Sequence, residues 1–273
     1  MIKERDVETD TGRTHAWFGG HGPVLLLLHG AGPGVNAKHN WSHIWERLAE
    51  RYNCIAPDLL GFGTSAPPTE LPHGAGAWAD ARSRQVIALL DALRIERAHI
   101  VGNSAGGGAV GLRLLATSPD RIERVVLMGG AGTRPVPGSV AAAFYENPSP
   151  TTMEQTIRRL IHHPERAPRP LAEIAQSRYQ LAMRPGAEAA FRSMHSPNRP
   201  GTGEFSTIPA AAVPVLLLHG AEDQVSPVEA SSALRNALRT AHLHVVPDAG
   251  HWVHVDQPDG FCGLVESFLS EVW

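Results

Sequence analysis

The sequence predicts an α/β fold: a mostly parallel, twisted sheet flanked by helices, with an inserted helical cap. Three observations carry this. Short continuous apolar runs, Val24 to Leu28, Arg124 to Met128 and Val213 to Leu218, have the pattern of strands buried on both faces. Segments of helical spacing separate such runs, which implies right-handed βαβ crossovers. Between Thr133 and Pro209 there is no apolar β run and proline is frequent, so this stretch reads as an insertion.

In chain order, residues 1–20 read as a strand and hairpin lead-in. The run Val24 to Leu28 ends in His29-Gly30-Ala31-Gly32-Pro33-Gly34, too rich in Gly and Pro to be anything but a loop. Trp41, Ile44, Trp45 and Leu48 predict one helix over Trp41 to Arg51, and Cys54 to Pro57 is the next short strand. A turn-rich stretch leads to a helix over Ala79 to Leu93, with Val86, Leu89, Leu90 and Leu93 on one face. The β-formers His99 to Val101 then run into Gly102-Asn103-Ser104-Ala105-Gly106 and a small-residue helix from Gly106 to Thr117, closed by Ser118-Pro119. Within the insertion, helices are expected at Thr151 to His162, Leu171 to Met183 and Gly186 to His195. After it come the strand Val213 to Leu218, a helix Pro227 to Arg239, a strand Leu243 to Val246 and a closing helix Pro258 to Val272. The expected organisation is a core of residues 1–132 and 209–273 with a helical cap, residues 133–208.

Composition narrows the function classes. With 42% hydrophobic and 19% charged residues, this is an ordinary globular composition rather than a disordered one. A net charge of -3 leaves no basic stripe, so nucleic acid is not an expected partner. The charged start MIKERDVETD lacks a signal-like apolar region and no apolar run is long enough to span a bilayer, so no membrane partner and a cytoplasmic location are expected. Cys54 and Cys262 are expected as buried free thiols. Among 15 histidines, His162-His163 read as cap surface and His242 and His244 as strand faces, and no metal or cofactor is expected.

The Gly102 to Gly106 pentapeptide has the form of a nucleophile elbow, a turn so tight that only Gly fits its flanks, which lifts the Ser104 hydroxyl onto a helix start. Acyl-transfer chemistry also needs a base, a carboxylate that fixes the base's tautomer, and oxyanion donors. Asp223 and His251 each follow the C-terminal end of an expected strand, the edge of an open α/β sheet where ligands bind; Glu222 and Asp248 rival Asp223 for the acid. The backbone N–H groups of Ala31 and Ala105 are the candidate oxyanion hole. On these residues alone, a carboxylesterase or lactonase and a small-molecule receptor with vestigial catalysis both stay open. A haloalkane dehalogenase is a poor fit, because it needs an Asp where Ser104 stands.

The order Ser104, Asp223, His251 is that of the α/β-hydrolases, which the chain resembles from end to end. Within them it resembles the meta-cleavage-product hydrolases, which split carbon-carbon bonds of vinylogous 1,5-diketones formed in aromatic-ring degradation. The matches are His29 to Gly34 followed by Asn40, Gly102-Asn103-Ser104-Ala105-Gly106-Gly107-Gly108, Gly220-Ala221-Glu222-Asp223, Gly250-His251-Trp252, and Arg178 within QSRYQLAMRP. Ala31 and Ala105 depart from the pattern, standing where many members carry Gly and a larger apolar residue. The resemblance implies that Arg178 and Trp252 contact the dienoate end of a small-molecule substrate, that Asn40 and Asn103 supply polar contacts, and that Gly30 and Gly32 line the same site. It also implies a homodimer or larger homo-oligomer. Spacing alone would make Arg178 a solvated charge on a cap helix and Trp252 a core residue. The chemistry gives a reason for the cation: carbon-carbon cleavage must expel a carbanion, so the dienol first becomes a ketone that can take the electrons, and an Arg fork near the 2-hydroxy and carboxylate groups favours that electron sink. The expected cycle is His251-assisted ketonisation, attack at the distal ketone by Ser104 or by water it helps activate, oxyanion stabilisation by Ala31 and Ala105, and carbanion release.

Overall fold

A computed structural model describes residues 2–132, 143–197 and 212–270. They build an eight-stranded sheet from β1 (Lys3–Val7), β2 (Thr14–Gly20), β3 (Val24–Leu28), β4 (Asn53–Pro57), β5 (Ala98–Asn103), β6 (Ile122–Met128), β7 (Val215–Gly220) and β8 (Ala241–Val246), in the order β1-β2-β4-β3-β5-β6-β7-β8. The first two strands form an antiparallel hairpin and β2 pairs β4 antiparallel; every later pairing is parallel. The inner strands read as unbroken apolar runs because helices cover both faces. Leu26, Leu28, Ile100, Leu127 and Leu217 pack into one core layer. Leu25, Leu27, Val101, Val126, Leu216 and Leu218 pack into the other.

The helices flanking this sheet are α1 (Ala37–Trp41), α2 (Trp45–Ala49), α3 (Ala75–Ala92), α4 (Ala109–Thr117), α8 (Val228–Ala237), α9 (Val253–Asp256) and α10 (Pro258–Leu269). Between β6 and β7 the chain carries α5 (Pro150–Arg158), α6 (Leu171–Ala182) and α7 (Ala187–Met194). These insertion helices have an apolar cluster of their own, which includes Tyr145, Ile157, Ile174 and Phe191 and takes in Trp252 and Val255 from the sheet-bearing part. Both junctions of the expected cap lie in residues 133–142 and 198–211, outside the described residues, as does Val272 of the expected closing helix.

Two local expectations change. The helix expected over Trp41 to Arg51 is two short ones, and the first starts earlier than expected because Asn36 caps it by accepting the His39 N–H at 2.9 Å. Trp41, Ile44, Trp45 and Leu48 are buried all the same. The helix expected to begin at Gly106 is preceded by one wide turn, Ser104–Gly108, before regular α-helix starts at Ala109. Cys54 and Cys262 are buried and unpaired, and burial pushes both thiols up to about 12. Among the described residues no helix is long and apolar enough to cross a membrane.

Candidate active site

The site begins where β5 turns into its helix. Ser104 is held at φ 53°, the left-handed region that a side chain rarely adopts. Its flanking glycines leave no alternative: a Cβ on Gly102 would overlap the Gly107 carbonyl, and one on Gly106 would overlap the His29 carbonyl. The Gly107 N–H donates to His29 O at 2.7 Å, so the turn after β5 is stitched to the loop after β3.

Ser104 Oγ lies 2.9 Å from His251 Nε2, and His251 Nδ1 lies 2.8 Å from Asp223 Oδ2. Both contacts fit one neutral tautomer, with Nδ1–H donating to the carboxylate and Nε2 accepting from the hydroxyl. Asp223 Oδ1 accepts the N–H groups of Val225 (2.7 Å) and Ser226 (2.9 Å), which fixes the carboxylate plane. Burial alone would raise the Asp223 carboxyl. The hydrogen bond and charge of His251, together with those two N–H groups, outweigh it and hold the group below its ordinary value. The rival acids are engaged elsewhere: Glu222 accepts the Ala249 N–H at 2.9 Å, and Asp248 faces His163 and Arg166.

Ala31 follows the end of β3 and is buried, whereas Ala105, next to Ser104, is exposed. Gly30 sits against the elbow, where a Cβ would lie 3.4 Å from Asn103 Nδ2 and 3.8 Å from the Ser104 Cβ. Asn40 is buried with its amide taken up by the protein. Its Oδ1 accepts from Gly30 N (3.2 Å) and Asn103 Nδ2 (2.9 Å), and its Nδ2 lies 3.0 Å from His254 Nε2. Asn103 is also fully buried, and its Oδ1 has no hydrogen-bond partner.

Arg178, on α6, is 1% exposed rather than solvated. Its Nε and Nη2 donate to the Pro33 carbonyl at 3.1 and 2.8 Å, its guanidinium carbon lies 5.5 Å from the Trp252 ring centre, and Nη1 is buried without a partner. A Cβ on Gly32 would lie 2.8 Å from Arg178 Nη2, so the glycine makes room for the guanidinium. Among the described residues no carboxylate forms an ion pair with it, and burial pushes its pKa down to about 10. A buried guanidinium with one nitrogen unpartnered can take up an anion.

Several other histidines are held by protein partners. His39 and His43 have the spacing of a helical metal pair, yet His39 Nε2 bonds Ser177 Oγ at 2.7 Å and His43 Nε2 bonds the His254 carbonyl at 2.9 Å. His162, His163 and Asp248 bring donor atoms within 4.8 Å of one another. That group is filled by protein partners, since Glu165 takes His163 Nδ1 at 2.8 Å and Arg166 takes Asp248 Oδ2 at 3.0 Å.

The alpha/beta hydrolase fold family model matches residues 23–258. The chain belongs to the alpha/beta hydrolase family. Among hydrolases it is 36% identical to the 2-hydroxymuconate semialdehyde hydrolase of Pseudomonas sp. (strain CF600), over 95% of this chain and 91% of that one. It is 34% identical to a 2-hydroxy-6-oxo-2,4-heptadienoate hydrolase of Pseudomonas putida, covering 92% and 90%. Among solved hydrolase structures, the 2-hydroxy-6-oxo-6-phenylhexa-2,4-dienoate hydrolase of Rhodococcus sp. strain RHA1 superposes with a TM-score of 0.89, at 33% identity over 99% of each chain.

Two residues of this hydrolase to which the sequence motifs assign no role of their own lie against the site. Gly129, at the end of β6, has φ 70°, and a Cβ there would lie 2.7 Å from His251 Cε1. The Gly129-Gly130 pair directly after a buried strand is the sequence signal. His29 holds the loop after β3: its Nδ1 lies 2.7 Å from Gly30 O, and its Nε2 accepts the Leu59 N–H at 2.9 Å. Protonation would remove that acceptor, and burial drives the His29 pKa down to about 3.

Two outcomes follow from these contacts. Gly129→Ala places a methyl group where the His251 ring lies and should lower turnover about tenfold or more; wild-type turnover in a folded Gly129→Ala protein would mean the ring has room to move. The His29 pKa is lowered on folding, so its contribution to stability is fully present above the unfolded value of about 6.5 and is lost as pH falls from there towards 3. Between pH 7.5 and pH 5 this one group should cost about 2 kcal/mol. Urea denaturation at the two pH values, compared with His29→Gln, checks it, and a wild-type profile no steeper than that of the variant would contradict it.

Proposed function

We propose that this hydrolase cleaves the carbon-carbon bond of a 2-hydroxy-6-oxo-hexa-2,4-dienoate-type product of aromatic-ring cleavage. The observation that carries the reading is Arg178: a buried guanidinium without a carboxylate partner among the described residues, held by Pro33 O and Trp252 beside the loop that follows β3. An esterase has no use for such a cation, whereas a dienoate brings the carboxylate that would balance it. The names of the three relatives given above, hydrolases of 2-hydroxymuconate semialdehyde or of 2-hydroxy-6-oxo-dienoates, support the same substrate class.

In the proposed cycle the substrate carboxylate and 2-oxygen bind Arg178 beside Trp252, with the unpartnered Asn103 Oδ1 accepting from the substrate. Asn40 acts at one remove, orienting Asn103 and the Gly30 N–H. His251 assists transfer of the 2-hydroxyl proton to C5, which leaves a 2,6-diketone. Ser104, or a water it helps activate, then adds to the C6 carbonyl as His251 takes the nucleophile's proton, and the new oxyanion lies against the N–H groups of Ala31 and Ala105. The C5–C6 bond breaks with its electron pair passing through the enone to the 2-oxygen, where Arg178 stabilises the charge. His251 returns its proton to the dienolate, and where Ser104 was the nucleophile a water then hydrolyses the acyl-serine, so the products are a 2-hydroxypentadienoate and a carboxylic acid. Cytoplasmic location and assembly as a homodimer or larger oligomer belong to the same reading.

The purified protein should bleach a yellow 2-hydroxy-6-oxo-dienoate; turnover of p-nitrophenyl esters with no dienoate turnover would favour an esterase instead. Arg178→Ala should lower kcat/KM for the dienoate about 100-fold, the scale of a lost charge-assisted contact, and change ester turnover by less than about tenfold. Equal losses on both substrates would remove Arg178 from the reaction.

A further inference from the structure

Asp256 ends α9, shortly after His251 in the chain, and is 1% exposed. Its carboxylate is turned entirely onto backbone N–H groups. Oδ2 accepts from Gly250 at 2.8 Å and from His162 at 2.9 Å, and Oδ1 accepts from His163 at 2.8 Å. Gly250 immediately precedes His251, whereas His162 and His163 belong to the insertion, just after α5. One side chain therefore ties the turn that carries the base to the segment that docks on it.

Other contacts run across the same seam. Trp252 N–H donates to Leu160 O at 2.8 Å, and a Cβ on Gly250 would lie 2.9 Å from His162 N. Arg166 Nη1 reaches the Asp256 carbonyl at 3.2 Å. The insertion segment thus lies directly on Gly250, His251 and Trp252. A base must keep hydrogen-bond reach of its nucleophile, and a displacement of about 1 Å costs on the order of 100-fold in rate.

We propose that Asp256 is a positioning residue for His251, making the alignment of His251 on Ser104 depend on residues 160–163 being docked. The proposal rests on the Ser104, His251, Asp223 assignment. A carboxylate suits the task because both oxygens accept. In Asp256→Asn, either orientation of the amide turns an NH2 group towards at least one of the three N–H groups, so the turn must shift.

The test reads nucleophile activation without the dienoate: the rate at which diisopropyl fluorophosphate labels Ser104, alongside dienoate kcat and KM. Asp256→Asn should slow labelling and lower kcat by the same factor, about 10- to 100-fold, with KM within about threefold. Asp248→Asn is the control, since it weakens side-chain contacts to His163 and Arg166 but leaves the three backbone N–H groups on Asp256, and its labelling rate should stay within about twofold of wild type. If Asp256→Asn, counted per folded molecule, labels at the wild-type rate, Asp256 only stabilises the fold and the proposal is overturned. Should that variant fail to fold, Asp256→Glu keeps both acceptor oxygens on a longer arm: slower labelling than wild type supports the proposal and an unchanged rate overturns it. A wild-type protein that labels but leaves the dienoate intact would overturn the substrate reading and leave the Asp256 test standing.

Discussion

The site depends on how closely the turn after β5 approaches the loop after β3. The Gly107 N–H bonds His29 O at 2.7 Å, and neither Gly102 nor Gly106 has space for a side chain. That contact holds the turn carrying Ser104 in its strained conformation and brings Gly30 beside it. It also lets one amide, that of Asn40, hold Gly30 and Asn103 together. The His29 ring braces the same loop from beneath through Leu59, and only as a neutral imidazole. Preorganised donors of this kind lower a barrier because they need not reorganise as charge develops.

A second constraint comes from the insertion. Burying a guanidinium without a counter-charge is costly, and the fold meets only part of that cost through the Pro33 carbonyl and the Trp252 ring. Such a group persists where a ligand completes it. Arg178 and Trp252 are also linked to the base: Trp252 follows His251 directly, its backbone bonds Leu160, and its ring packs into the apolar cluster of the insertion. The buried guanidinium and the His251 turn therefore share one seam.

The core strands were legible because burial on both faces writes an unbroken apolar run, and the three polar residues after β5, β7 and β8 were legible because strand ends mark the edge where ligands bind. The structure places those residues in one hydrogen-bonded series. What was not legible arises between segments far apart in sequence. Arg178 has the spacing of a surface charge and becomes buried only because Pro33 and Trp252 meet it. Gly129 looks like an ordinary strand ending until the His251 ring is seen against it, and Asp256 like a helix-end acid until the His162 and His163 N–H groups arrive. The early start of α1 was missed for a local reason, the cap at Asn36.

The decisive feature is where a dienoate lies in the site. The measurement is a crystal structure of the Ser104→Ala protein with a 2-hydroxy-6-oxo-dienoate bound. The carboxylate should lie within hydrogen-bond distance of Arg178 Nη1, with the distal carbonyl oxygen against the N–H groups of Ala31 and Ala105. A carboxylate bound away from Arg178, or a distal carbonyl turned away from residue 104, would contradict it.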